Sequence, residues 1–184
     1  MKELSLNILD IAMNSVTAGS TLINIDLTES HDILEIRISD NGCGMSREMV
    51  ENVTSPFCTS RTTRKVGMGI PLFKMASEQT GGTFSIVSKS DREFPDSHGT
   101  VTSATFLKNH LDYTPLGDII GSIVTLIQGM GENIDLIFTH KSDTLDVRLD
   151  TRQLRETLGG EIPLSTPDVL VWIKEFLKEN YNIT

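Results

Sequence analysis

The stretch of this sequence that most suggests chemistry is DNGCGM at residues 40–45, which follows the alternating segment ILEIRIS. Asp40 stands where a strand is predicted to end, and Gly42 and Gly44 follow it with almost no side-chain bulk. A turn by itself needs only one glycine or an Asn-Gly pair to reach positive φ. A carboxylate fixed beside glycine backbone would let a planar ligand approach the main chain closely. The alternative interpretation is a plain turn at the end of the strand.

Three further motifs accompany this stretch in a fixed order. DIAMNSVTAGS lies on a predicted first helix, where Asp10 and Asn14 are one turn apart and share a face. VGMGI begins a second long helix, and HGT, which contains Thr100, opens a later strand. Each motif alone is a weak indication of function. Their order along the first half of the chain is what indicates one shared site.

Hydrophobic spacing predicts the elements that position these motifs. It predicts a helix over 3–17, two tightly joined antiparallel strands over 21–39, and a short helix capped by Ser46. A loop over 54–68, a helix up to the glycines at 81–82 and two more strands follow. This order predicts an α+β sandwich with helices on one face of a mostly antiparallel sheet. Residues 111–184 are predicted to form a second block with an apolar helix, a hairpin and two further helices.

The four motifs together resemble the boxes of the GHKL superfamily, which includes DNA gyrase B, heat-shock-90 chaperones, MutL-type mismatch-repair proteins and histidine kinases. The N-box of that superfamily resembles DIAMNSVTAGS, its two glycine boxes resemble DNGCGM and VGMGI, and its last box resembles GT. The resemblance covers residues 3–107 and implies the two-layer α/β sandwich of the Bergerat ATP-binding fold over 1–110. Residues 111–184 are then a small α/β C-terminal extension of unknown role.

The resemblance implies how the adenine of ATP would be bound. Asp40 would accept a hydrogen bond from the exocyclic amine of adenine, which also selects against guanine because guanine carries a carbonyl at that place. Gly42 and Gly44 would let the base pack on the backbone, and Thr100 would support the Asp40 carboxylate through its hydroxyl.

The first helix would supply the metal and catalytic groups. The resemblance implies that Asn14 binds Mg²⁺, which holds the phosphates; the alternative is a polar surface residue. Asp10 stands where ATP-hydrolysing members carry a glutamate general base and many histidine kinases carry a second asparagine. An aspartate could still polarise water or bind the metal. A displacement on the order of 1 Å can nevertheless cost roughly a hundredfold in rate, so we expect slow hydrolysis or none.

The segment SPFCTSRTTRKVGMG at residues 55–69 is the predicted lid over the phosphates. Its basic side chains would meet the β- or γ-phosphate, and its glycines and the helix that follows would present backbone amides to them. The alternative is a solvated basic loop. The residues expected at the phosphates are Arg61, Arg64, Lys65, Gly67, Met68 and Gly69.

Composition limits the partners and the compartment. A formal net charge of −9 argues against nucleic acid as a general partner. The sequence shows no apolar run long enough for a membrane span and no signal peptide, so we expect a cytoplasmic protein. Cys43 and Cys58 are expected to be reduced and structural, and the scattered histidines predict no zinc site.

These observations predict a stand-alone Mg·ATP-binding histidine kinase-like module, either a regulatory ATP-binding protein or a protein kinase acting in trans, with slow turnover. No phosphoacceptor hairpin of the sensor-kinase kind is recognised before the N-box. The alternatives are a nucleotide-gated binding module without significant catalysis and a true ATPase that drives conformational change. A partner protein is expected. The apolar stripe with Trp172 and Phe176 is interpreted as packing on the hairpin of the second block, and the alternative is a docking face for that partner.

Overall fold

The computed structural model describes residues 3–54, 68–160 and 162–182 of the chain. The helices in these ranges are α1 (Leu4–Thr17), α2 (Arg47–Val53), α3 (Gly69–Gln79), α4 (Ile119–Gly129), α5 (Thr151–Thr157) and α6 (Pro167–Asn180). The strands are β1 (Leu22–Glu29), β2 (Ile33–Asp40), β3 (Phe84–Lys89), β4 (Gly99–Leu107), β5 (Asp135–Lys141) and β6 (Asp146–Asp150).

Local signals in the sequence set the ends of the helices that flank the site. Gly19 follows α1 with φ of 72°, the left-handed conformation that ends a helix without strain in glycine. The Ser46 side chain caps α2 by accepting a hydrogen bond from the Met49 amide. These two ends fix where the chain enters β1 and where it leaves DNGCGM.

The six strands form one sheet in the order β3-β4-β2-β1-β5-β6. Four of the five pairings are antiparallel, including the predicted β1–β2 hairpin, whereas β5 lies parallel to β1. The sheet is therefore continuous from the first half of the chain into residues 111–184. The division of the chain at residue 110 stays a prediction.

The sheet carries helices on one face, which confirms the predicted α+β sandwich. Alternate residues of β1 and β2 are fully buried, as the period-two pattern requires: Ile23, Ile25, Leu27, Leu34, Ile36 and Ile38. These side chains and the apolar faces of the helices form one hydrophobic cluster that includes both halves of the chain. No helix in the described part of the chain has the length and apolar character needed to cross a bilayer.

The second half of the chain packs directly on the first. Helix α4 lies against α1, and α6 lies against α4 and β6. The backbone amides of Leu4 and Ser5, at the start of α1, donate to the carbonyls of Pro115 and Leu116 at 3.0 and 2.8 Å. These amides have no acceptor within their own helix, so the segment before α4 satisfies them.

The apolar stripe on α6 divides into a buried part and an exposed part. Val169, Ile173 and Leu177 are buried where α6 packs on α4 and β6. Trp172 remains 51% exposed and stacks on Phe176 with ring centroids 5.3 Å apart. Most of the stripe is therefore core, whereas the Trp172–Phe176 pair is accessible, and its role as a docking face stays a prediction.

A hydrogen-bonded cluster ties the end of α6 to the sheet, at the sheet end opposite Asp40. His140 on β5 contacts Glu29 Oε1 through Nε2 at 3.0 Å and the Tyr181 hydroxyl through Nδ1 at 2.7 Å. Lys108 donates to Glu29 Oε2 at 2.9 Å. Burial lowers the pKa of His140, although the Glu29 carboxylate acts the other way. Burial also acts to raise the pKa of Glu29, but Lys108 and His140 outweigh it and the pKa is lowered.

Candidate functional site

A cavity of about 260 Å³ opens between α1, the end of β2 and the start of α3. Its volume lies just below the roughly 300–1,000 Å³ of typical small-ligand pockets. Apolar walls with a few polar groups are what a planar, partly polar ligand requires. The residues that line the cavity are Ile11, Asn14, Ser15, Thr17, Ala18, Ile38, Asp40, Cys43, Gly44, Met45, Met49, Ile70, Thr100 and Thr102.

Asp40 is held at the wall of this cavity by two hydrogen bonds. Its Oδ2 accepts from the Ser15 hydroxyl at 2.7 Å, and its Oδ1 accepts from the Gly42 amide at 2.9 Å. A carboxylate has about four acceptor positions on its two oxygens, so both oxygens keep capacity for another donor. The side chain is therefore oriented and still able to bind an amine.

The two glycines of DNGCGM are required for different reasons. Gly44 has φ of 64°, and a Cβ there would overlap the Lys89 carbonyl oxygen of β3. At Gly42 a Cβ would lie 2.7 Å from Ser20 Oγ and 2.8 Å from Ala18 Cβ, so this glycine lets the loop pack on the end of α1. Gly44 lines the cavity, whereas the space beside Gly42 faces α1 rather than a ligand. The contact of Gly42 with a base stays a prediction.

Thr100 is paired with Asp40 in the β2–β4 register and lines the cavity. Its hydroxyl lies 2.7 Å from Ser88 Oγ, which also accepts from the Met45 amide at 2.8 Å. The side-chain hydrogen bond to the Asp40 carboxylate comes from Ser15 and not from Thr100. The role of Thr100 at the nucleotide stays a prediction.

Asn14 and Asp10 occupy the same side of α1 in different settings. Asn14 lines the cavity, and its Nδ2 is the buried side-chain atom that lacks a hydrogen-bond partner among the residues described. Asp10 is exposed and lies against α3, where a Cβ on Gly69 would approach its Cβ to 3.0 Å. The absence of a side chain at Gly69 thus lets the N-terminus of α3 come close to Asp10.

The structure describes only part of the predicted phosphate site. Gly69 is buried at the start of α3 and Met68 precedes it, 68% exposed. The predicted phosphate-contacting residues Arg61, Arg64, Lys65 and Gly67 lie outside the described residues. Across residues 3–54, 68–160 and 162–182, no three histidine, cysteine or acidic side chains are grouped as a metal centre.

Sequence reasoning missed two serines that organise the site. Ser15 is 3% exposed on the buried face of α1, and Ser88 bridges β3, β4 and DNGCGM. A serine on the buried stripe of an amphipathic helix needs a hydrogen-bond partner, and this was the available signal for Ser15. The identity of its partner, 25 positions away, is not contained in the local pattern.

Comparison with known proteins gives matches of three kinds. A family model described as "Histidine kinase-, DNA gyrase B-, and HSP90-like ATPase" matches residues 1–111. The CAI-1 autoinducer sensor kinase/phosphatase CqsS of Vibrio cholerae serotype O1 is 33% identical over 70 residues, which is 38% of this chain. The chain spans only 10% of the length of that protein.

Two solved structures are among the matches. The ATPase domain of Aquifex aeolicus MutL, complexed with ADP, has a TM-score of 0.52 and 14% identity over 86% of this chain and 70% of that one. The catalytic domain of the histidine kinase ThkA has a TM-score of 0.34 and 20% identity over 47% of this chain and 51% of that one. The likeness to the MutL domain concerns the fold alone and includes part of the chain beyond residue 111.

The family match covers more than half of the chain and includes all four motifs. Within that range, the residues that can be described fold as the resemblance implies and hold Asp40 at a cavity wall. The chain therefore belongs to the family of histidine kinase-, DNA gyrase B- and HSP90-like ATPases, and residues 1–111 contain its ATP-binding domain.

Proposed function

We propose that the chain binds Mg·ATP in the cavity beside Asp40 and turns it over slowly, as a regulatory ATP-binding protein or a protein kinase acting on another protein. The observation that carries this proposal is the Asp40 carboxylate, which Ser15 and Gly42 hold at the cavity wall with acceptor capacity to spare. An exocyclic adenine amine is the donor that fits this acceptor, and the apolar walls fit the faces of the base.

Helix α1 is the proposed holder of the metal. Asn14 lines the cavity, and its amide nitrogen has no hydrogen-bond partner among the described residues. Asp10 lies one turn earlier on the same helix. The amide oxygen can be presented by rotating the end of the side chain. Magnesium commonly binds one or two protein oxygens and completes its octahedral shell with phosphates and waters, so this pair fits the ion. Bound there, the ion would neutralise phosphate charge.

Asp10 is the proposed base for the slow reaction. It would take a proton from water as the water oxygen attacks the γ-phosphorus and the bond to the bridging oxygen of ADP breaks, which yields ADP and phosphate. Asp10 is exposed and packs beside Gly69 instead of lining the cavity. An exposed base outside the cavity wall is poorly oriented for that transfer, which supports slow turnover.

The test is to incubate the purified protein with Mg²⁺ and γ-labelled ATP and to follow the label. Free labelled phosphate that exceeds the Asp10→Asn variant would establish an ATPase with Asp10 as base. Label retained in bound ATP by both proteins would support a binding protein or a kinase that lacks its substrate. The control variant is Asp26→Asn, which changes a carboxylate on the open face of the sheet, outside the cavity wall. If neither the folded wild type nor this control retained ATP, the proposed function would be contradicted.

The accessible Trp172–Phe176 pair on α6 favours a second candidate, a nucleotide-gated module for binding a partner protein. Trp172 is the only tryptophan of the chain, so its fluorescence reports on this face alone. Gating predicts that Mg·ATP shifts the emission in the wild type and not in Asp40→Asn. An emission unchanged by saturating Mg·ATP would count against gating.

We infer a cytoplasmic setting with neither nucleic acid nor membrane as partner. The net charge of −9 supports the absence of nucleic acid, because binding its phosphates requires clustered positive charge. Retention on immobilised DNA at physiological salt would contradict this part of the proposal.

A further inference from the structure

His98, the residue before Gly99-Thr100, makes a contact with DNGCGM that the proposed function does not use. The half-buried ring lies with Nδ1 2.6 Å from the Gly42 carbonyl oxygen, across 56 positions of sequence. A carbonyl oxygen can only accept, so Nδ1 must carry the hydrogen. The contact therefore defines one tautomer of the ring in its neutral form.

This hydrogen bond belongs to a seam in which DNGCGM lies against the end of β3, the start of β4 and the segment that joins them. The Asp91 amide donates to the Cys43 carbonyl at 2.9 Å, and the Met45 amide donates to Ser88 Oγ at 2.8 Å. At the start of β4, a Cβ on Gly99 would overlap the Asp40 carbonyl oxygen, so the two segments approach as closely as backbone allows. Of the three hydrogen bonds of this seam, the one from His98 reaches the residue nearest Asp40 in sequence.

The position of Gly42 connects this seam to the candidate adenine site. The Gly42 amide donates to Asp40 Oδ1 at 2.9 Å, and its carbonyl accepts from His98. Gly42 is thus held at both ends, by the ring on one side and by the carboxylate on the other. Movement of the Gly42 carbonyl would rotate the adjoining peptide units and displace the amide that orients Asp40.

We propose that His98 is a positioning residue for nucleotide binding, which fixes Gly42 through Nδ1–H and thereby holds the Asp40 carboxylate in its binding orientation. This inference rests on the proposed function, since it concerns the same cavity. It predicts that the affinity for nucleotide depends on an N–H group at the position of Nδ1 and not on the imidazole ring itself.

The experiment compares three substitutions by isothermal titration with Mg·ATP. His98→Asn keeps an N–H at the place of Nδ1, His98→Gln places its N–H nearer to that of Nε2, and His98→Ala removes it. Loss of one hydrogen bond to a buried carbonyl should raise Kd roughly tenfold in the Ala and Gln variants. The Asn variant should stay within about threefold of the wild type, as should His31→Ala, whose side chain is 96% exposed on the β1–β2 turn.

Nuclear magnetic resonance of the ligand-free wild type supplies a readout that needs neither a variant nor a nucleotide. With the ring neutral, Nδ1 should show the ¹⁵N shift of a protonated nitrogen and Nε2 that of an unprotonated one, the reverse of the tautomer usual in water. In His98→Ala, the amide nitrogen of Cys43, which shares a peptide group with the Gly42 carbonyl, should shift, and in His98→Asn it should shift less.

Each result decides the inference. Rescue by Asn but not by Gln, with the Nδ1–H tautomer, supports it. Equal Kd values for all variants while the wild type binds, a Kd that Asn fails to restore, or the Nε2–H tautomer would overturn the inference and leave the proposed function intact. A wild type that binds no nucleotide would overturn both.

Discussion

The substitution Asp40→Asn tests the centre of the site with almost no change in shape. It replaces two charged acceptor oxygens by one neutral oxygen and an NH₂ group. The remaining oxygen can keep the hydrogen bond from the Gly42 amide, now 2.9 Å long, and the Ser15 hydroxyl can turn to accept from the NH₂ group. The fold should therefore survive, while the acceptor available to an adenine amine is weakened or replaced by a donor.

The magnitude follows from the kind of hydrogen bond lost. A hydrogen bond to a charged group contributes about 1.5–3 kcal/mol, and a donor facing a donor adds to the loss. At about 1.4 kcal/mol per tenfold, Kd for Mg·ATP should rise at least tenfold and up to roughly 150-fold. Isothermal titration of both proteins, with their thermal unfolding measured in parallel, separates lost binding from lost folding.

The matched control is Asp26→Asn, because Asp26 lies on the neighbouring strand β1 and also accepts from a hydroxyl, that of Thr139, at 2.7 Å. Asp26 is absent from the cavity wall, so this variant should bind as the wild type does. An Asp40→Asn Kd within twofold of the wild type, or an equal loss in both variants, would refute the assignment of the adenine site.

Three further results are expected. Ser15→Ala removes the 2.7 Å hydrogen bond from a buried hydroxyl, so it should cost about 1 kcal/mol in urea unfolding and weaken Mg·ATP binding several-fold; unchanged affinity would exclude Ser15 from the site. Gly44→Ala forces a side chain into left-handed backbone, so it should lower the free energy of unfolding by more than about 1 kcal/mol, whereas Gly131→Ala, with open space at its Cβ, should not. Because burial lowers the pKa of His140, the unfolded chain binds its proton first as pH falls below 6.5. Below pH 6.5 the free energy of unfolding should therefore decrease by up to about 1.4 kcal/mol per pH unit. At still lower pH, the contribution of Glu29, whose pKa is lowered, is lost as well. His140→Gln should flatten the slope below pH 6.5, and the same slope in both proteins would contradict the role given to His140.

Local patterns predicted the first half of the fold well, because its information is local. Alternation in β1 and β2 marked the residues that are buried. Asp40, singled out at the end of β2, lines the cavity, while its role in binding adenine stays a prediction. The order of the four motifs then carried the family resemblance, which the match over 1–111 confirms.

Local patterns did not predict the contacts between distant segments of the chain. Nothing in the alternation of β5 or β6 states which strand will lie beside β1, and the parallel β1–β5 pairing joins segments more than a hundred positions apart. The hydrogen-bond partner of Ser15 and the residues that Gly42 faces are likewise set by contacts between segments that are far apart in sequence. The sequence therefore indicated which residues are special more reliably than what each of them touches.

The parallel pairing of β1 with β5 has a consequence for how the protein is made. A ribosome releases β1 and α1 long before β5, so during synthesis β1 has an unpaired edge and the start of α1 lacks the Pro115 and Leu116 carbonyls. Exposed strand edges and non-local pairings favour slow folding and aggregation. The ATP-binding half should thus become protease-resistant on the ribosome only after residues up to β6 have emerged, later than its own four motifs would suggest.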